Sequence, residues 1–279
     1  MHNFKSSFSF AVLFIFIFVI TLFAQDIQFV ENGIDSSANH LPCYIIRTAH
    51  ATYYLEKVGV GLSSLLDKDG NDWIGFHPRE GSGAEGEYRG FPNAVHQQDG
   101  NFFHPKNRGT DSSQTFIEFV GQERVTIRGR SGNGNWECTW DFYPLYCTFT
   151  MTKIPAGYKY WILYEGTPGG RYDDTDWWMT SAISERKYLT ERHEQDIPDP
   201  EWIVFGDKNL DRVLFLLNHK DDDKPDYFYQ MNRHMTVFGF GRKGLEKYLY
   251  NVPQSFSIGF IESTNHCEIS RFINSIIIK

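Results

Sequence analysis

An all-β chain folded as a large antiparallel β-sandwich is what this sequence predicts, on three observations. Aromatic residues make up 16% of the chain, with 24 Phe and 15 Tyr, and such side chains suit the pleated, half-buried surface of a strand. Apolar and polar residues alternate with a period of two in several stretches, as in a strand with one wet face. Gly, Pro and Asn clusters interrupt those stretches, while no long run repeats apolar residues at helical spacing.

Residues 1–24 read as an address. Lys5 gives a positive start, Phe10 to Ala24 is almost unbroken apolar sequence, and Ala24 is a small residue before Gln25. That run is short for a membrane span of roughly 20 residues. A secretory signal peptide is expected, with an N-terminal anchor as the alternative. Residues 25–279 are then a single sandwich domain of a secreted or periplasmic protein, with no membrane span after the signal is removed.

Along that domain, Thr115 to Val120 and Arg124 to Arg128 read as strands. The Ser131-Gly132-Asn133-Gly134-Asn135 cluster turns the chain back as a hairpin. In the next strand Trp136, Cys138, Trp140 and Phe142 face one way, and Glu137, Thr139 and Asp141 the other. Tyr146 to Ile154 and Tyr158 to Tyr164 are expected to pair around Pro155-Ala156-Gly157. Trp202 to Phe205, Val213 to Asn218, Met235 to Gly239 and Phe256 to Ile261 complete the strand set. Only Ser181 to Leu189 and Gly244 to Leu249 suggest short turns of helix.

The formal net charge is −8, and loss of a leader carrying only Lys5 makes it more negative. A negative chain without a basic run is unsuited to nucleic acid. Four cysteines, Cys43, Cys138, Cys147 and Cys267, allow disulfides in an exported protein. Cys138 and Cys147 fall on adjacent strands and are either a pair or buried thiols. Lys220 to Asp226 is expected to be a solvated charged turn, since it lacks the ligand spacing of a calcium loop.

The segment Glu85 to His96 concentrates chemistry between glycines and a proline. Arg89 suits a bidentate clamp on a sugar carboxylate. His96 suits the base, because imidazole titrates near neutrality. Tyr88 is the expected donor to a leaving oxygen, and Asn93 and His104 are expected to bind substrate. Alternatively, Arg89 pairs with Glu85 or Glu87 and the others line a loop. A second group joins Glu165 and Arg171 to Tyr172, Asp173, Asp174, Asp176, Trp177 and Trp178. Trp177 offers a ring for a sugar face, and the carboxylates could instead form a glycosidase pair. A third places Arg233 and His234 at a strand start, as part of an anion site. His193 is expected on the surface. His77, His96, His104 and His234 show no metal-ligand spacing, so neither a metal nor a cofactor is expected.

Tyr53-Tyr54-Leu55-Glu56-Lys57, Gly59-Val60-Gly61-Leu62-Ser63-Ser64-Leu65 and the Asp/Gly turn Asp67-Lys68-Asp69-Gly70-Asn71-Asp72-Trp73 resemble the opening of galactose-mutarotase-like domains. Trp161 to Gly170 is similar to a central strand ending at a cleft. The resemblance runs from about Asp26 to Ile261 and implies the supersandwich fold. It does not imply the reaction, because the epimerase's two-His, Asp and Glu set has no matching positions here. The residues themselves point to an acidic, uronic-acid-containing oligosaccharide or polysaccharide as partner and to a lyase or dehydratase; the ulvan type is one substrate class that fits, though no residue specifies it. A glycoside hydrolase, a sugar epimerase and a non-catalytic carbohydrate-binding module are the alternatives.

Overall fold

A computed structural model of the chain describes residues 27–38, 40–231 and 233–278; the expected signal peptide lies outside them. The strands are β1 (Gln28–Asp35), β2 (Leu41–Arg47), β3 (Ala51–Glu56), β4 (Leu62–Asp67), β5 (Ser113–Val120), β6 (Val125–Ser131), β7 (Glu137–Phe142), β8 (Tyr146–Lys153), β9 (Ile162–Gly166), β10 (Trp177–Thr180), β11 (Lys187–Tyr188), β12 (Trp202–Gly206), β13 (Val213–Asn218), β14 (Tyr227–Met231), β15 (Met235–Phe240), β16 (Arg242–Lys243), β17 (Glu246–Lys247) and β18 (Gln254–Ile261). Among the described residues one α-helix, α1, spans His266–Ile276. The predicted all-β antiparallel sandwich is the observed architecture.

A nine-stranded sheet runs β11-β10-β12-β13-β18-β8-β7-β6-β5. β18 joins its halves, pairing with β13 on one side and β8 on the other. Two smaller sheets, β1-β2-β3-β4 and β14-β15-β9, cover one face of it. Tyr53 of β3 meets Phe142 of β7 edge-on at 5.4 Å. Phe228 of β14 and Phe238 of β15 reach Phe205 of β12 at 5.5 and 6.1 Å. Aromatic side chains thus form the mortar between the layers, as the composition implies.

The opposite face is covered where α1 lies. In β13, Leu214 and Leu216 enter the main core, while Val213, Phe215 and Leu217 pack with Ile269 and Ile273 of the helix. Phe272 meets Phe215 at 5.6 Å. Asn265 starts the helix, its side chain accepting from the backbone N–H groups of Cys267 and Glu268 at 3.0 and 3.2 Å. That cap and the apolar spacing of Ile269, Phe272, Ile273 and Ile276 define an amphipathic helix. Burying the two central isoleucines contributes about 1.5–3 kcal/mol each.

Several local expectations are corrected. Residues 181–189 form bends and β11, and residues 242–247 form the β16–β17 hairpin; neither is helical. The segment after Pro155 does not pair with β8. Tyr160 instead bridges Leu249, and β9 crosses to pair with β15. Cys138 lies opposite Met151, and Cys147 opposite Phe142, so the two cysteines are offset by roughly 13 Å along the strands. No disulfide spans that distance, and all four cysteines are free thiols. The charged turn is anchored inward. Asp222 accepts from Asn218 and Gln254 at 3.0 Å each, and the fully buried Asp226 accepts from the N–H groups of Ile197 and Gly241. His193 is half-buried, its ring edge-on to Trp178 at 5.8 Å.

Candidate functional site

The main cavity has a volume of about 680 Å3 and opens beside β9 and β14. Strand alternation builds its wall. Along β9, Ile162 and Tyr164 turn into the core, so Leu163 and Glu165, with Trp161 before them, face the cavity. Across the small sheet Tyr229 and Met231 do the same. The loop Tyr88 to Thr110 closes the opposite side with Tyr88, Asn93, His96, Asn101, His104 and Thr110. Gly90 ties that loop to the strand, exchanging both backbone hydrogen bonds with Glu165 at 2.8 and 3.0 Å. Glycine is required there, since a Cβ would lie 2.8 Å from Pro105 and 3.0 Å from the His104 ring.

Glu165 sits at the centre of the wall and is 7% exposed. Asn93 donates to its Oε2 at 2.9 Å. Burial outweighs that bond and the nearby Arg242, and pushes the carboxyl up to about 7. His104 Nε2 lies 3.8 Å from the same oxygen. Burial lowers this imidazole to about 4, so near neutral pH the contact is not an ion pair. It is a neutral imidazole beside a carboxyl that is partly protonated. His104 Nδ1 lies 2.9 Å from the Pro105 carbonyl and Nε2 3.4 Å from the Tyr88 carbonyl, so backbone oxygens hold the ring in place beside Glu165.

A cationic and aromatic patch completes the cavity. His96 stacks on Trp161 at 6.1 Å and 15°. Burial, then the charges of Lys247 and Arg242, lower the His96 pKa, leaving it unprotonated at neutral pH. Arg242 donates from Nε to the Gly244 carbonyl at 2.8 Å. Its guanidinium lies 5.1 to 5.5 Å from the rings of Trp161, Tyr229 and Tyr227, and its Nη1 has no hydrogen-bond partner. Lys247 lies 3.9 Å from the Trp161 ring centre and is lowered to about 8 by burial and by Arg242.

The structure divides the residues singled out from sequence. Tyr88, Asn93, His96, His104 and Glu165 meet in the main cavity. Tyr88 stands at its rim, 46% exposed, and a hydrogen bond from its phenol to Glu87 raises its pKa. Arg89, Arg171, Arg233 and His234 line a separate cavity of about 280 Å3. Arg89 is not a free clamp. Its Nη1 and Nη2 donate to the carbonyls of Gly75, Ala84 and His234, which holds the loop together, and its Nε is buried without a partner. Arg233 pairs with Asp174 at the surface. Trp177 presents no ring to either cavity. It is buried in the helix-side cluster, with Arg186 4.3 Å from its ring centre. The carboxylates of Asp173 and Asp176 gather with Asp207 and do not line the cavity of Glu165, so they form no glycosidase pair with it.

Sequence reading gave no role to Arg242 and Trp161, which line the cavity, or to Lys247, which packs on Trp161. Alternation along β9 carries the signal for Trp161, since it shares a parity with Glu165. Arg242 and Lys247 face each other only through the β16–β17 pairing, which nothing local in the sequence specifies. Among the described residues, the groups of three or more side chains able to share a metal ion are wholly carboxylate, Asp173 with Asp176 and Asp207, and Asp196 with Asp221 and Asp223. The cavity histidines are not among them.

No protein-family model matches the chain, and no curated protein matches it. Among solved structures it is similar to a galactose mutarotase-like protein from Lactobacillus casei ATCC 334. Identity is 8% and the TM-score 0.45, over 78% of this chain and 99% of that one. It is also similar to a galactose mutarotase related enzyme from Lactobacillus acidophilus. There identity is 9% and the TM-score 0.45, over 80% of this chain and 98% of that one.

Proposed function

We propose that this chain is an exported carbohydrate-active enzyme that performs a β-elimination on a uronic-acid-containing oligosaccharide or polysaccharide. One observation carries the reading. A single cavity holds a carboxyl that keeps its proton up to about pH 7 and an arginine whose Nη1 has no partner. Its volume of about 680 Å3 falls within the range of small-molecule sites, roughly 300–1,000 Å3. Trp161 and Tyr229 supply the flat apolar surfaces that a sugar ring packs against.

The chemistry follows from where charge must go. Arg242 meets the uronate carboxylate and draws charge from the carbon next to it, which acidifies the C5–H. His96, unprotonated at neutral pH, takes that proton. The electron pair forms the C4–C5 double bond as the C4–O bond breaks. Glu165, in its acid form, gives its proton to the leaving oxygen. Asn93 fixes the carboxyl; afterwards His96 releases the C5 proton to solvent and Glu165 regains a proton from solvent, which restores both groups. A sugar chain as leaving group gives cleavage, and a hydroxyl gives dehydration.

Incubating the protein with uronate-containing and neutral oligosaccharides tests the reading. A double bond conjugated to the carboxylate absorbs in the ultraviolet, and it should appear only with the acidic sugars. Binding without a new absorbance would support a carbohydrate-binding role. Faster anomer exchange with no new absorbance would support an epimerase.

A further inference from the structure

Away from the main cavity, β10 and β12 run antiparallel with Trp177 opposite Gly206. The register therefore sets Asp176, just before β10, beside Asp207, just after β12. Asp173 joins them from the loop ahead of β10, and a carboxylate oxygen from each lies within 4.8 Å of the others. Like charges placed opposite each other in a sheet are destabilising. The charges acting most strongly on Asp176 are the carboxylates of Asp173, Asp207 and Asp174. Asp176 is fully buried. Its Oδ2 accepts from the Asp173 N–H at 3.1 Å, while its Oδ1 has no partner at all. A buried, unpartnered oxygen on a carboxyl beside two other carboxylates is costly unless burial keeps that carboxyl protonated or a cation completes it.

We infer that Asp173, Asp176 and Asp207 form a structural calcium site that ties the loop following β9 to the end of β12. The donors are all oxygen, which selects a hard cation over zinc or copper. Calcium accepts six to eight oxygens in a flexible sphere, whereas magnesium demands a near-ideal octahedron and keeps several waters. Three carboxylates brought together from loops and strand ends suit the more permissive ion. Gly169, in the turn between β9 and Asp173, lies against Asp207, where an added Cβ would be 2.6 Å from Oδ2. Thr167, in the same turn, has a buried hydroxyl without a partner. Bound calcium would fix this turn, which leads into Arg171 and Tyr172 of the smaller cavity.

Trp177 follows Asp176 directly, so terbium, which replaces calcium, can be read by luminescence excited through the indole. The chain is stripped with a chelator and titrated with terbium, then competed with calcium or magnesium. The site predicts sensitised emission that calcium displaces at least about tenfold better than magnesium. It predicts a melting temperature that rises with calcium. Asp176→Asn and Asp207→Asn should each weaken ion binding tenfold or more and abolish the calcium-dependent rise. Without calcium, Asp176→Asn should melt no lower than the stripped wild type, which shows that the variant folds. The Asp221→Asn/Asp223→Asn double variant should bind as wild type does. Absent emission with no calcium effect on melting overturns the site. So does emission that survives both single variants or is lost in the double variant, and equal displacement by magnesium rejects calcium.

Discussion

Replacing Glu165 with glutamine should separate stability from activity in opposite directions. The substitution keeps a carbonyl oxygen for Asn93 to donate to and removes the ionisable proton. In the folded chain burial raises the carboxyl from 4.5 to about 7. The native state therefore holds this proton more tightly than the unfolded chain. That advantage is complete below pH 4.5 and is lost as pH rises to about 7. The difference amounts to about 3 kcal/mol, at 1.36 kcal/mol per pH unit. The amide of the variant does not titrate and has no such loss, so the stability gained by Glu165→Gln should grow by about 3 kcal/mol between about pH 4.5 and pH 8. His104 has the opposite sign. Its pKa is lowered to about 4, so its contribution is present above pH 6.5 and is lost as pH falls toward 4. The Glu165 and His104 slopes oppose each other between about pH 4.5 and 6.5, and the variant removes the Glu165 slope from the total. Urea unfolding followed by tryptophan fluorescence across this range reads both effects. Over the same series, elimination should fall by about 10²- to 10⁴-fold, the share of a general acid. A variant whose added stability is the same at low and high pH would refute the raised Glu165 pKa. A variant that eliminates at the wild-type rate would refute its role as the acid.

Three further outcomes concern the cavity and its loop, and a fourth the helix. Arg242→Ala should lower turnover of acidic sugars, and Arg242→Lys should rescue it poorly because Lys lacks the planar fork; full activity in the Ala variant removes Arg242 as the clamp. Arg89→Ala, by contrast, should cost about 2–5 kcal/mol of stability through three lost bonds to backbone carbonyls, as chemical denaturation would show; an unchanged midpoint contradicts that structural role. His96→Ala should slow elimination by about 10²- to 10⁴-fold with little change in melting temperature, and wild-type activity should fall on the acid side as this imidazole is protonated. Ile273→Ala should destabilise the chain by about 2–5 kcal/mol; a change under about 0.5 kcal/mol, the scale of a surface substitution, would mean that α1 does not pack as described.

The sandwich was legible because the side chains on one face of β7 alternate cleanly with wetter ones, as in Trp136 to Phe142. Alternation gives no signal in β12 and β13, whose residues are buried on both faces. There the second cover is α1, whose own signals, Asn265 followed by Glu268 and the Ile269 and Ile273 spacing, are present in the sequence but occupy too short a stretch to stand out. The site was half legible. Glu165, His96, His104, Asn93 and Tyr88 lie in two short segments, and one backbone bridge at Gly90 joins them. Arg89 was misplaced because adjacent residues of an irregular loop point to different sides, and Tyr88 and Arg89 line different cavities. Arg242 and Lys247 enter only by long-range pairing, which residue type and spacing do not encode. The partnership of Asp176 with Asp207 has the same origin, in the β10–β12 register.

The most direct test of the elimination reading is the ultraviolet absorbance of reaction mixtures with uronate-containing oligosaccharides, wild type beside Glu165→Gln. The account predicts a steady rise with wild type, dependence on the sugar carboxylate, and a rate lower by about 10²-fold or more in the variant. Equal rates for the two proteins, or no rise with any acidic sugar that the wild type binds, would contradict it.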